Sequence, residues 1–306
     1  MISGDPTLSC IILAGGEGLR VRALTRALAG DERPKQFCHL VGGETLLDQT
    51  RRRAARLVAP TSTVVVVTRA HERFYGPALA GVPARSILAQ PDNRGTAPAI
   101  LAGLLRLRAL TPPGPVVMLP SDHYVSDDAA FMARVEAACD GVRACPDRVV
   151  LLGVSPDRPE TEYGWIEPGE LLATRSPWPL FGVRRFWEKP DPLLAERLAQ
   201  RGALWNSFVI VAQQATLERT IREAVPVLDA AFGRAQGWLG SPRAVERTLC
   251  EAYAAVPSVD LSTEVLERRP EVLAVLPVSG VAWNDLGAPA RVLATRQQLA
   301  AYLVSA

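Results

Sequence analysis

The chain contains only two lysines, Lys35 and Lys189, although lysine and arginine together account for 34 of its 306 residues. Each lysine stands in a short polar stretch, RPKQF at 33–37 and FWEKPD at 186–191. The ammonium group of lysine is a compact point charge on a flexible stem, and it follows a phosphate that changes geometry better than the planar fork of arginine does. The two lysines are therefore candidates for contact with phosphate groups.

A glycine-rich stretch, LAGGEGLR at 13–20, follows the first apolar run directly. Gly15, Gly16 and Gly18 allow a tight turn whose backbone N–H groups face an anion at close range, and Arg20 can fork onto phosphate oxygens. The stretch has neither the GK[ST] of a P-loop nor the GxGxxG of a dinucleotide site. Taken alone, these glycines are also compatible with a simple turn between a strand and a helix.

These stretches resemble the signature of the sugar-1-phosphate nucleotidyltransferases, which usually reads GGxGTRL…PLT…PKxx. Within that family the PKQF form is most similar to the mannose-1-phosphate guanylyltransferases. Further blocks match in the family's order along nearly the whole chain: QPDNRGTAPAI (90–100), LPSDH (119–123), EYGWI (162–166), FWEKPD (186–191), WNSF (205–208) and WNDLG (283–287). Three departures lie near the glycines: Leu19 stands for Thr, Ala23 stands for Pro, and RALAGDE lengthens the following loop.

The resemblance implies that an oxygen of a sugar 1-phosphate attacks the α-phosphorus of a nucleoside triphosphate and that pyrophosphate leaves. Such a reaction needs no covalent nucleophile, because positioning and electrostatic stabilisation lower the barrier. By this resemblance Lys35 and Arg20 act on the triphosphate, and Lys189 contacts the sugar phosphate. Asp122 and Asp285 would hold Mg²⁺ as a site of hard oxygen ligands, although Asp122 could instead cap the helix expected near 128 or form a turn.

The nucleotide side, as the resemblance implies it, comprises Leu13, Ala14, Gly15, Gly16, Gly18, Gln90, Gly95, Thr96, Ala97 and Asp122. Guanylyltransferases often carry Glu at the position of Gln90 and Asn at that of Gly95. Because Gln at position 90 also resembles thymidylyl- and uridylyltransferases, the base stays open. Thr96 could instead cap the helix that begins there.

The sugar side, on the same basis, comprises Tyr163, Gly164, Glu188, Lys189 and Asn206. The carboxylate of Glu188 can accept hydrogen bonds from two adjacent hydroxyls, and the amide of Asn206 both donates and accepts. In WNSF the residue after the serine is Phe208, where the family commonly has Gly, so we expect a narrower pocket. The stretch SVDLSTEVLE at 258–267 matches the family's SIDYxVME only loosely, and we assign no residue from it.

Short β-branched runs alternate with helical patterns as far as about residue 155, which predicts parallel strands joined by crossover helices. We expect one Rossmann-like α/β domain over 1–306, with a mixed, mostly parallel sheet flanked by helices and no C-terminal β-helix. Residues 1–155 would form the nucleotide-binding half. Residues 156–306, with strand-like pieces at 163–167, 181–188 and 205–211, would form the sugar-phosphate half.

The bulk composition narrows the class of protein. A formal charge of +2 gives no general reason to bind nucleic acid. The five cysteines include no CxxC pair, the N-terminus lacks a signal-peptide pattern, and no apolar run is long enough for a membrane span. We expect a cytoplasmic enzyme with small-molecule substrates, and a homo-oligomer is one option.

Two other functions fit the sequence. One is transfer from dTTP or UTP to glucose 1-phosphate. The other is a catalytically silent homologue that binds sugar nucleotides.

Overall fold

The computed structural model describes residues 5–172, 177–233, 238 and 240–305. Within these residues the main feature is a nine-stranded sheet, accompanied by a two-stranded ribbon. The strands are β1 (Ser9–Leu13), β2 (Thr63–Thr68), β3 (Ile87–Gln90), β4 (Pro115–Pro120), β5 (Tyr124–Val125), β6 (Val149–Val154), β7 (Gly164–Leu172), β8 (Leu180–Glu188), β9 (Leu204–Gln213), β10 (Leu273–Val278) and β11 (Trp283–Asn284).

The strand order of the large sheet is β3-β2-β1-β4-β9-β6-β10-β8-β7. Strands β1 to β4 pair in parallel, as do β6 and β10. Strands β8 and β9 run against all their neighbours. This arrangement confirms the predicted mixed, mostly parallel sheet. The central strand β9 comes from the second half of the sequence, so one sheet contains strands from both halves.

Helices cover both faces of the sheet. They are α1 (Arg22–Ala29), α2 (Leu46–Ala54), α3 (Glu72–Ala78), α4 (Thr96–Arg108), α5 (Asp128–Ala144), α6 (Pro192–Gln200), α7 (Gln214–Ala224), α8 (Pro226–Gly233), α9 (Pro242–Ala255) and α10 (Pro289–Ser305). None of the helices in these ranges is long and apolar enough to cross a membrane.

The alternation of side chains along each strand divides the core into two layers. In β1, Ile11 belongs to the apolar cluster that includes α4, α7 and α9, whereas Cys10 and Ile12 belong to the cluster that includes α2 and α5. Every residue from 97 to 107 in α4 is buried, because this helix lies between the sheet and other helices. A strand with both faces covered reads as a continuous apolar run, as TVVVVT does.

Two features of the fold bring distant motifs together. The parallel pairing of β1 with β4 aligns Leu13 with Pro120, so the glycine turn and the LPSDH block leave the sheet at the same edge. The ribbon of β5 and β11 then pairs Tyr124 with Asn284. Asp285 is thereby carried to the vicinity of Asp122.

Strand β10 was absent from the sequence-based expectation. Its sequence, LAVLPV, contains Pro277, and proline argues against a central strand because it has no N–H group to donate. In the structure Pro277 lies opposite Gly153 of β6.

Candidate active site

The glycine turn is held from below by hydrogen bonds to its carbonyl groups. The side-chain amide of Gln36 donates to the carbonyl oxygens of Ala14 and Gly16 at 3.0 and 2.8 Å, and the Thr68 hydroxyl donates to that of Gly15 at 3.0 Å. Gln36 is fully buried. The path of the turn is therefore fixed by the protein interior.

Gly15 and Gln90 lie in direct contact. A Cβ at position 15 would stand 2.5 Å from Nε2 of Gln90, so no other residue fits there without displacing that amide. The carbonyl oxygen of the buried Gln90 side chain accepts a 2.7 Å hydrogen bond from the Tyr253 hydroxyl. The structure thus places Gln90 beneath the turn.

Lys35 lies where the nucleotide motifs meet. Its ammonium donates to the backbone carbonyl of Asp285 at 2.5 Å and stands 3.2 Å from Oδ2 of Asp122, and its side chain is only 8% exposed. Gly18 has a left-handed backbone (φ 62°), and a Cβ there would be 3.3 Å from the backbone nitrogen of Lys35. The glycine turn, Lys35, Asp122 and Asp285 therefore form one compact group. Asp127, and not Asp122, caps α5.

The Asp285 carboxylate is surrounded by donors. Oδ1 accepts hydrogen bonds from the Gly287 N–H at 2.8 Å and from the Tyr163 hydroxyl at 3.1 Å. Burial acts to raise the pKa of Asp285, but the charge of Lys35, the neighbouring His123 and Arg291, and the hydrogen bond from the Gly287 N–H together hold the pKa below its usual value. Asp285 is therefore ionised at neutral pH.

Arg20 forms an exposed ion pair with Glu162. Its guanidinium also reaches the turn after Asp285, since a Cβ on Gly287 would be 3.0 Å from Arg20 Nη2. The predicted triphosphate residues Arg20 and Lys35 thus both lie beside the WNDLG segment, Lys35 at the Asp285 backbone carbonyl and Arg20 at Gly287.

The sugar-side residues lie together where β7, β8 and β9 meet, and Tyr163 connects them to Asp285. A Cβ on Gly164 would stand 2.9 Å from Oε2 of Glu188 and 3.4 Å from Cβ of Asn206. Burial raises the pKa of Glu188, and the neighbouring Asp260 adds to the effect while Lys189 opposes it. Asn206 is buried, and its side-chain oxygen accepts a hydrogen bond from the Phe208 N–H at 3.0 Å.

Lys189 differs from Lys35 in its surroundings. Its ammonium stands 3.4 Å from Oε1 of Glu188, and its side chain is 55% exposed. Its backbone is left-handed (φ 47°), and its N–H donates to the carbonyl of Tyr163 at 3.2 Å. A lysine rarely adopts this conformation, so the surroundings must hold it there.

The RGTAPAI block packs against residues 259–261, which sequence reasoning left unassigned. The Ala97 N–H donates to the Val259 carbonyl at 3.1 Å, and the Thr96 hydroxyl accepts from the Leu261 N–H at 2.8 Å. Gly95, and not Thr96, occupies the cap position of α4. A Cβ on Gly95 would lie 2.4 Å from the Val259 carbonyl oxygen. The alternative of a capping role for Thr96 is therefore wrong.

The donor set near Lys35 fits a metal ion that arrives with its substrate. Within the residues described, no group of three or more His, Cys, Asp or Glu side chains could hold a metal ion. Asp122 and Asp285 supply two carboxylates next to the glycine turn. Mg²⁺ is commonly bound in this way, by one or two carboxylates together with substrate phosphates and waters.

The family model described as nucleotidyl transferase matches residues 9–301. The chain belongs to the nucleotidyl transferase family.

Two curated relatives are similar to most of the chain. It is 33% identical over 293 residues to the xanthan biosynthesis protein XanB of Xanthomonas campestris pv. campestris (strain B100), a match that covers 94% of this chain and 59% of the relative. It is 30% identical over 282 residues to the mannose-1-phosphate guanylyltransferase of Escherichia coli K12, a match that covers 90% of this chain and 57% of the relative. The chain thus spans less than two thirds of the length of these relatives.

A solved structure agrees with these matches. The chain is similar to a crystal structure from Thermus thermophilus described as a mannose-1-phosphate geranyltransferase, with a TM-score of 0.74 and 32% identity. The match covers 92% of this chain and 76% of the other.

Sequence reasoning missed several residues that hold the site. Gln36 stands inside the PKQF motif, so the motif itself could have pointed to it. Tyr253 and Arg291 stand outside the quoted motifs, and only the fold brings them into contact with Gln90 and Asp285. No spacing in the sequence signals such contacts.

Proposed function

We propose that this nucleotidyl transferase transfers a guanylyl group from GTP to mannose 1-phosphate, giving GDP-mannose and pyrophosphate. The observation that carries the proposal is the buried ammonium of Lys35, which lies between Asp122 and the Asp285 backbone beside a glycine turn. A buried cation next to two carboxylates suits a polyanionic substrate that arrives with a metal ion. The relatives named as mannose-1-phosphate guanylyltransferases support the choice of base and sugar.

In this mechanism the triphosphate lies over the glycine turn, and an oxygen of the sugar phosphate attacks the α-phosphorus. The bond to the β-phosphate oxygen breaks, and pyrophosphate leaves with the bonding electrons. Arg20 and Lys35 stabilise the charge that grows on the pyrophosphate. We assign these steps to the proposed nucleotide-binding half, over 1–155, together with the segment that carries Asp285.

The sugar 1-phosphate would occupy the proposed sugar-phosphate half, over 156–306. Lys189 would hold the phosphate, while Glu188 and Asn206 would hydrogen-bond the hydroxyls near Tyr163 and Gly164. Because Lys189 is exposed, its ammonium is accessible to an incoming phosphate. Because Glu188 is partly buried, water would compete only weakly for the hydrogen bonds between its carboxylate and the hydroxyls.

Asp122 and Asp285 would hold Mg²⁺ together with phosphate oxygens. When bound, the ion would neutralise part of the triphosphate charge and polarise the phosphoryl oxygens. Lys35 lies next to both residues. Its positive charge reduces the repulsion between the two carboxylates and the polyanionic substrate before the ion arrives.

The runner-up is transfer from dTTP or UTP to glucose 1-phosphate. The observation in its favour is at Gly95, where the Val259 backbone leaves no space for the Asn that guanylyltransferases often have. Gln90, which lies under the glycine turn, is the second departure from the guanylyl pattern.

Pyrophosphate release from the purified chain tests the proposal. The assay uses Mg²⁺ with GTP, ATP, UTP and dTTP, each combined with mannose 1-phosphate or glucose 1-phosphate. We expect clear preference for GTP with mannose 1-phosphate. Preference for another pair would keep the mechanism and overturn the substrate assignment. No turnover with any pair, despite measurable binding of sugar nucleotides, would identify a silent binding protein.

A further inference from the structure

Arg291 occupies a position that is costly for a cation. It is the third residue of α10 (Pro289–Ser305), and its side chain is only 10% exposed. Burial removes the guanidinium from water, and the N-terminal end of a helix carries partial positive charge. Nearby carboxylates must therefore offset both costs.

The guanidinium is shared between two carboxylates. Its Nε stands 3.0 Å from Oδ1 of Asp285, and its Nη2 donates to Oδ2 at 3.4 Å. On its other side, Nη1 donates to Oε2 of Glu160 at 3.2 Å. The plane also lies over the Tyr163 ring, 4.9 Å from its centre. Arg291 thus contacts both oxygens of Asp285 and is itself held in place.

Glu160 connects this contact to the start of β7 (Gly164–Leu172). Its Oε1 accepts a 3.1 Å hydrogen bond from the Glu162 N–H, and its backbone carbonyl accepts one of 2.7 Å from the Trp165 indole. The end of Arg291 that faces away from Asp285 is therefore attached to a segment fixed by the sheet. The Glu160 carboxylate, which is held in this way, has one preferred orientation.

Gly287 provides the space in which these groups meet. A Cβ at this position would stand 2.4 Å from Oδ2 of Asp285 and 2.8 Å from Nη2 of Arg291. The glycine of WNDLG therefore lets the guanidinium reach the carboxylate.

We propose that Arg291 is a positioning residue that orients the Asp285 carboxylate toward the metal ion of the bound triphosphate. The role deepens the proposed function and rests on it. In this role Arg291 contacts the proposed metal ligand Asp285 and is not itself a ligand of the ion. It acts through Asp285, as the hydrogen-bonding partners of metal ligands commonly do.

Direct binding of Mn²⁺ in the presence of GTP, measured by electron paramagnetic resonance without sugar phosphate, tests the role in the absence of turnover. We expect Arg291→Gln to weaken Mn²⁺ binding by about 10- to 100-fold, the range typical of such partners. Turnover assays should show a loss mainly in kcat, with a smaller change in the KM for the hexose 1-phosphate, because Glu188 and Lys189 are unchanged and only the Tyr163 ring loses its contact with the guanidinium. Arg296→Gln is the matched control on α10, since Arg296 donates to the Leu40 carbonyl and, among the described residues, forms no ion pair.

A lowered melting temperature with Mn²⁺ affinity and kcat equal to those of the wild type would reduce Arg291 to a structural residue and overturn the proposal. Should Arg291→Gln fail to fold, Arg291→Lys keeps the charge but not the fork, and Glu160→Gln removes the other support. Both should weaken Mn²⁺ binding, by less than Arg291→Gln. Wild-type Mn²⁺ affinity in both would also overturn the proposal.

The two readouts separate this role from the proposed function. A wild-type chain that binds Mn²⁺ with GTP in an Arg291-dependent way, yet turns over no substrate pair, would contradict the proposed function and support the role of Arg291. A wild-type chain that turns over GTP while Arg291→Gln retains full Mn²⁺ affinity would contradict only the role of Arg291. A wild-type chain that binds no Mn²⁺ with GTP would also overturn the role of Arg291.

Discussion

The two lysines of the chain lie in opposite environments. Lys35 is buried, paired with Asp122 and bonded to the Asp285 backbone. Lys189 is more than half exposed, contacts Glu188 loosely at 3.4 Å and has a left-handed backbone. One cation is already fully engaged in the free protein, and the other is presented to solvent on a strained segment.

The difference indicates two ways of preparing a phosphate site. On the nucleotide side the charges are assembled and mutually compensated, so a ligand must exchange partners with residues already in place. On the sugar side the Lys189 ammonium is exposed to solvent, and the backbone conformation sets only the direction in which the side chain points. Preorganised charges in a buried setting cost little reorganisation when charge develops, whereas an exposed charge is screened and contributes less.

Substitution of Lys35 should have the largest effect. We expect Lys35→Ala to lower kcat by about 10²- to 10³-fold, and Lys35→Arg to be severely impaired too, because a planar fork does not fit between Asp122 and the Asp285 carbonyl. Pyrophosphate release measures the loss, and thermal unfolding shows whether the chain still folds. Near-wild-type activity of Lys35→Arg would remove the distinction between the two lysines.

Gly95→Ala should damage the contact between the RGTAPAI block and residues 259–261. The added Cβ would meet the Val259 carbonyl at 2.4 Å, and the backbone of Gly95 is left-handed (φ 84°). We expect a loss of about 2–4 kcal/mol in the free energy of unfolding. Urea unfolding measures it, with Gly16→Ala as the control because no atom lies within 4 Å of its added Cβ. Equal stability of the two variants would contradict the contact.

Variants of Lys189 should have a moderate effect confined to the sugar. Lys189→Ala should raise the KM for hexose 1-phosphate about tenfold, through the loss of one charge-assisted hydrogen bond. Lys189→Arg should stay within a few-fold of the wild type, since the position is open. Lys189→Gly should be about 1 kcal/mol more stable than Lys189→Ala, because glycine relieves the left-handed strain. A Lys189→Ala variant as stable as Lys189→Gly would argue against that strain.

Glu188→Gln should reveal a cost of keeping this carboxylate partly buried. Burial raises the folded pKa of Glu188 above its value in the unfolded chain, so the wild type loses stability as pH rises from about 4.5 through that raised pKa. The melting temperature of Glu188→Gln relative to the wild type should therefore increase between about pH 4 and pH 7. A pH-independent difference would show that Glu188 is not strained by burial.

Glu162→Gln should produce the smallest effect. The Arg20–Glu162 pair is exposed on both sides, and such pairs contribute about 0.2–1 kcal/mol. Freed from Glu162, Arg20 should bind the triphosphate more readily, and the KM for GTP should fall about two- to three-fold. Glu196→Gln, at an exposed position of α6, is the control. An increased KM would mean that Glu162 orients Arg20 for the nucleotide instead of competing with it.

The sequence predicted much of the sheet, because its strands are short β-branched runs between helical patterns. It did not predict β10, whose Pro277 argues against a central strand, or the ribbon of β5 and β11, whose strands have two residues each. The strand order was equally out of reach. Nothing in residues 204–213 indicates that they lie between β4 and β6.

The candidate site divides in the same way. The motif residues were found because each resembles a short block with a fixed spacing. Gln36, Tyr253 and Arg291 act on those residues through contacts made only by the folded chain, as do residues 259–261. The groups expected to meet substrate were thus visible in the sequence, whereas, apart from Gln36 inside the PKQF motif, the groups that hold them in place were not.

The position of β9 has a consequence for the synthesis of the chain. Val117 of β4 and Val150 of β6 both pair with Val211, so the middle of the sheet stays open until residue 211 has left the ribosome. Until then the nascent chain exposes two strand edges, which are templates for pairing with other chains. A fragment that ends at residue 155 should therefore aggregate and need chaperone protection.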